Sequence, residues 1–69
     1  MTQNWFLVYS TGNLARASIL KGMLEENHIP VILMNKQDSS YLNFGEIEIY
    51  VPRNLKDIAA HLIDNALLN

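Results

Sequence analysis

The sequence predicts an α+β domain: a two-layer sandwich of order βαββα, with three strands in one sheet (order 1-3-2) and two helices on one face. Three observations predict it. Two segments have strand chemistry: "WFLVYS", Trp5 to Ser10, is aromatic and β-branched, and "EIEIYV", Glu46 to Val51, alternates strictly. Two others repeat apolar residues at helical spacing, Ala17, Leu20, Met23 and Leu24 in the first and Leu55, Ile58, Ala59, Leu62, Ile63 and Ala66 in the second. Pro30 separates the first helical stretch from another apolar run, so that run is a strand and not more helix.

Strand one, Trp5 to Ser10, ends in the turn "TGN". Thr11 and Asn13 both suit an N-cap, because their side-chain oxygens accept from the free backbone donors of a first helical turn. Helix one then runs from Leu14 to Asn27 and stops ahead of Pro30, which disfavours helical geometry at Ile29 and has no N–H. "IPVILMN", Ile29 to Asn35, is strand two, apolar on both faces, and its early proline is tolerated at a sheet edge. In strand three Ile47, Ile49 and Val51 face one side while Glu46, Glu48 and Tyr50 face the other. "PRNLKD" opens helix two, with Asn54 as N-cap and Asp57 in a capping-box-like place. A βα unit, a hairpin and a closing helix match the ferredoxin-like split βαβ plan without its last strand. The right-handed crossover rule places strand three parallel and adjacent to strand one, leaving strands one and two at the edges. Strand one then offers an open hydrogen-bonding edge, and the sheet face away from the helices is uncovered.

Residues 1–69 form a single domain. A chain of this size buries only about 60% of its unfolded surface, so self-association is the expected support and a homodimer the expected state. Cysteine is absent, which removes disulfides and thiolate zinc sites and fits a reducing, cytoplasmic setting. "MTQNWFLVYS" holds neither a basic leader nor a long apolar run, so neither a signal peptide nor a membrane span is expected. The formal charge is −2 and no basic stripe exists to neutralise a phosphate backbone, which argues against nucleic-acid binding.

Catalytic patterns are missing, so an enzyme is not expected. His28 and His61 lie on separate elements without metal-ligand spacing, and neither a metal nor a cofactor is expected. Ser10, Ser39 and Ser40 lack the nucleophile-elbow pattern, and Asp38 is more simply a turn former. Glu46 and Glu48 share a face as solvated residues of a half-exposed strand rather than as an acid and base pair. Thr11, Gly12 and Asn13 precede helix one as an anion-binding N-terminus would, and the helical wheel sets Arg16 within the arc of Ala17, Leu20 and Met23. These four make a weak candidate ligand site, against plain capping and a snorkelling arginine.

The residues "A-x-x-L-K-G-x-L-E-E-x-x-I-P" (Ala17 to Pro30), then "N-K", then "G-E-I-E-I-Y-V-P" (Gly45 to Pro52), resemble the family of prokaryotic signal-transducing proteins. These are small bacterial domains of unassigned function with a PII-like, ferredoxin-type fold. The resemblance runs from Trp5 to about Ile63 and rests mostly on fold-determining residues. It implies a ligand-sensing or partner-regulating role. Where many members carry glycine before the Ile-Pro, this chain has His28, which costs more than glycine in a left-handed helix C-cap. In PII-like proteins the loop between strands two and three reaches a partner, and a tyrosine in it can be modified; Tyr41 stands in that place. The loop is shorter here and the PII phosphate-binding pattern of basic and glycine residues is missing, which argues against classical nucleotide sensing.

That loop, "NKQDSSYLNFGE", exceeds the two to five residues or so of an ordinary hairpin. Asp38, Ser39 and Ser40 favour turns, whereas Tyr41, Leu42 and Phe44 are unusually apolar for a solvated connection, so residues 36–44 are expected to contact a protein partner. Gly45 resets the chain for strand three. If Phe6 and Val8 face the helices, Trp5, Leu7 and Tyr9 face outward beside Tyr50 and form an apolar interface row. The function expected is a non-enzymatic regulatory or interaction domain; a sensor of an anionic or nucleotide-like small molecule is the alternative.

Overall fold

In a computed structural model, which describes residues 4–37 and 45–68, the order is β1 (Trp5–Thr11), α1 (Leu14–Glu26), β2 (Ile32–Asn35), β3 (Ile47–Pro52) and α2 (Lys56–Leu67). The sheet order is β1-β3-β2, as expected. One orientation differs: β3 is antiparallel to β1, not parallel. The hairpin explains it. The α1 crossover returns β2 in the direction of β1, and β3, which pairs with β2 as the second arm of a hairpin, must reverse and slot between them.

β3 carries the centre of the core. Ile47, Ile49 and Val51 are fully buried, and the helices cover them with Ala17, Leu20 and Leu24 of α1 and Ala59 and Ile63 of α2. Of the expected helix-two stripe, Leu55 and Leu62 pack at the core margin, while Ile58 is 55% exposed and Ala66 is also exposed. The start of α2 also differs. Arg53–Leu55 form a 3-10 turn, and neither Asn54 nor any other side chain caps the helix that follows.

α1 is closed at both ends by its own sequence. The Asn13 side-chain oxygen accepts from the Arg16 amide at 3.1 Å, so of the two cap candidates Asn13 is the one used, with the Thr11 hydroxyl accepting from the Asn13 amide. At the far end the Ile29 amide donates to the Leu24 carbonyl and the His28 amide to the Glu25 carbonyl, each at 3.0 Å. This is a Schellman cap, with Leu24 and Ile29 supplying its buried hydrophobic contact. His28 occupies the left-handed position at φ 65°, where a side chain is strained and glycine is not.

The loop base is held as tightly. The Lys36 amide donates to the Glu46 carbonyl at 3.1 Å, extending the β2–β3 ladder by a step. Gly45 sits opposite at φ 100°, and a Cβ there would collide with the Lys36 carbonyl oxygen. Gln37 adds a tether, its side-chain amide donating to the Gly12 carbonyl at 2.8 Å.

Two substitutions should move stability in opposite directions. His28→Gly should stabilise by about 0.5–1 kcal/mol, the relief of left-handed strain less the added unfolded-chain entropy of glycine. Gly45→Ala should destabilise by at least about 2 kcal/mol, because backbone strain and a backbone clash coincide. Urea unfolding of the two variants measures both; equal midpoints would contradict the reading of both positions.

Candidate functional site

Opposed residues in a ladder share a face, so the register assigns the uncovered side of the sheet. Trp5 lies opposite Pro52, and Leu7 and Ile32 flank Tyr50 from either side. Next along, Met34 lies opposite Glu48, and Ser10 opposite Glu48 from the other edge. Leu7, Ile32 and Met34 are 42%, 41% and 45% exposed. Trp5, Ile32, Met34 and Tyr50 line an open depression of about 440 Å³.

Tyr9 does not belong to this surface. The ladder slips between Leu7 and Tyr9, a bulge with Val8 as the extra residue, so Tyr9 pairs with the buried Ile49 and both Val8 and Tyr9 pack against the core. Simple alternation from Trp5 would have put Tyr9 outside. The interface row is therefore Trp5, Leu7 and Tyr50, joined by Ile32 and Met34.

The other half of the face is polar and internally paired. The Tyr50 hydroxyl donates to Glu48 Oε1 at 2.8 Å, and Lys36 Nζ approaches the same oxygen at 3.3 Å. Ser10 Oγ donates to Glu46 Oε1 at 2.8 Å. The two carboxylates thus have separate donors. The Tyr50 hydrogen bond, seconded by Lys36 and opposed by partial desolvation, holds the Glu48 carboxyl below its ordinary 4.5. The same bond, helped by desolvation, raises the Tyr50 phenol above 10.0.

Thr11, Gly12, Asn13 and Arg16 come together at the start of α1, but their groups are largely committed to the fold: Thr11 and Asn13 to capping, the Gly12 carbonyl to Gln37. Arg16 is exposed and lines an open depression of about 360 Å³ with Ile19, Leu20, Ala66 and Leu67. The start of α1 therefore lies beside the end of α2, whose last turn has no basic residue of its own. That neighbourhood, with Ala66 and Leu67 of α2, is one that the wheel of α1 alone could not reveal.

His28 and His61 are both exposed, the latter within 3.3 Å of the Asn65 side-chain amide. Among the described residues no group of His, Asp and Glu could hold a metal ion. Of the expected loop contacts, Asp38, Ser39, Ser40, Tyr41, Leu42 and Phe44 lie outside the described residues. Sequence reasoning omitted Lys36 and Gln37 as individual contributors; their signal was their place directly after a strand, where a side chain can bridge to the neighbouring turn.

Fold and face together define a small α+β two-layer domain with one open sheet surface. The chain belongs to the family described as "putative prokaryotic signal transducing protein", whose model matches residues 5–67. No curated protein and no solved structure matches it. No helix among the described residues is long and apolar enough to cross a membrane.

The Glu48–Tyr50 pair makes a pH prediction. Because the Glu48 value is lowered on folding, its contribution to stability is present above 4.5 and lost as pH falls through the lowered value. Because the Tyr50 value is raised, its contribution is present below 10.0 and lost as pH rises through the raised value. Tyr50→Phe removes the principal donor, so the Glu48 carboxyl should titrate closer to 4.5 in carbon-detected NMR; an unchanged titration would show that the hydroxyl is not its main partner.

Proposed function

We propose that this chain is a non-enzymatic regulatory domain of the cytoplasm that acts as a homodimer and transmits its signal through protein contact. The observation that carries the reading is the bare outer face, where Leu7, Ile32 and Met34 are each more than two-fifths exposed beside Trp5 and Tyr50. Contiguous apolar surface on so small a domain is costly to leave in water, and Trp and Tyr are frequent anchors of interfaces. Membership in a signal-transducing family supports the same reading. On the PII-like resemblance of the sequence, the connection between β2 and β3 is the second place at which we expect a partner.

Trp5→Ala should weaken self-association by at least about tenfold, as truncation of an interface anchor does. Sedimentation velocity measures it. A wild-type chain that remains monomeric at high micromolar concentration would refute the homodimer.

The second reading, sensing of an anionic or nucleotide-like small molecule, draws support from Arg16: no described residue forms an ion pair with it, and it lines a depression near the start of α1. A ligand bound only by the folded state raises its melting midpoint. Thermal shifts with nucleotides and inorganic phosphate, lost in Arg16→Ala, are the result expected of that reading; unchanged midpoints at millimolar ligand would exclude it.

A further inference from the structure

We infer that the depression between the start of α1 and the end of α2 binds a small monocarboxylate with an apolar body, its carboxylate on Arg16 and its body against Ile19 and Leu67. The inference rests on the sensor reading and narrows its ligand from anions in general to one class.

The lining joins two chemistries. Asn13, Arg16, Ile19, Leu20, Ala66 and Leu67 are among the residues that border the depression, whose volume of about 360 Å³ lies at the lower end of the range for small-molecule sites. Among the described residues Arg16 is the one charged group that lines it, and no described residue forms an ion pair with it. No acid stands in the first turn of α1, and Asp64, the nearest acid along α2, does not line the depression. Asn13 has its side-chain oxygen taken by the Arg16 amide and retains its side-chain nitrogen as a neutral donor.

The rest of the lining is aliphatic, and part of it does little for the fold. Leu20 is a core residue at 1% exposure, whereas Ile19 is 69% and Leu67 39% exposed. An isoleucine left so open contributes little to the core; against an apolar ligand it gains the burial that folding does not give it. The guanidinium fork matches a carboxylate with two parallel N–H···O bonds. A single cation is too few for a nucleotide polyphosphate, whose several charges call for a basic cluster or a metal ion. Inorganic phosphate would leave Ile19 and Leu67 bare, and a wholly apolar ligand would leave Arg16 unused. An anion of single charge with an aliphatic body uses both.

Hexanoate is the probe, with acetate, hexanol, inorganic phosphate and a nucleotide beside it, each followed by amide NMR at millimolar concentration. Hexanoate should shift Ala15, Arg16, Ile19 and Leu67 saturably. Acetate, which lacks the body, and hexanol, which lacks the charge, should each bind at least about tenfold more weakly. Arg16→Gln should abolish the hexanoate shifts, Arg16→Lys should keep part of them, because it restores the charge without the fork, and Ile19→Ser should weaken them. Both positions are exposed, so the melting midpoints of these variants should stay near that of the parent chain. Arg16-dependent shifts with phosphate or the nucleotide that equal or exceed those with hexanoate would overturn the carboxylate class and leave the sensor reading standing. Hexanoate shifts centred on Trp5, Ile32, Met34 and Tyr50 that survive Arg16→Gln would place the attraction on the open sheet face and overturn the inference. No shift at Arg16 with hexanoate, phosphate or the nucleotide would overturn both.

Discussion

Everything in this molecule hangs on the inner face of β3. Ile47, Ile49 and Val51 are its fully buried layer, and both helices are placed by the need to cover them. Each such side chain removed from water contributes roughly 1.5–3 kcal/mol, and a chain this short has few of them. Losing one would cost about 2–5 kcal/mol, a large share of what a small domain has. That explains why the central strand is the most regular element and why departures from regularity, the bulge at Val8 and the 3-10 turn at Arg53–Leu55, sit at the periphery.

The same alternation creates the outer face. With every second residue of β3 committed inward, Glu48 and Tyr50 have to point outward, and the flanking strands add Leu7, Ile32 and Met34 around them. The polar half of that surface satisfies itself through Tyr50, Lys36 and Ser10. Among the described residues the apolar half has no comparable cover. What a strand needs on one side for folding it exposes on the other for contact.

Much of this was legible in the sequence, and the reasons are local. Strict alternation in "EIEIYV", helical spacing from Ala17 to Leu24, and Pro30 as a stop each depend on a few neighbouring residues, and β3 and α1 formed where those rules place them, while strand two, expected from Ile29, begins only at Ile32. The strained His28 was legible too, but through the family resemblance, in which many members carry glycine before the Ile-Pro. What escaped depends on partners distant in the chain. The orientation of β3 relative to β1 follows from the hairpin and crossover together. Tyr9 turned inward because a bulge answers to the fit of β1 against β3, which no window within β1 records. Arg16 came to border a depression shared with the end of α2, and Asn54 lost its capping role when the chain entered α2 through a tighter turn.

The contact between Ser10 and Glu46 spans 36 positions of chain, and the ladder it belongs to closes the fold. β2 and β3 are close neighbours in sequence and can find each other locally, whereas β1 must wait for β3. During synthesis "WFLVYST" therefore leaves the ribosome well before β3, its strand partner among the described residues, exists. A strand without charge is thus the one that stays unpaired longest. A strand that waits in this way has to be kept from pairing with other extended chain until β3 emerges to take it up.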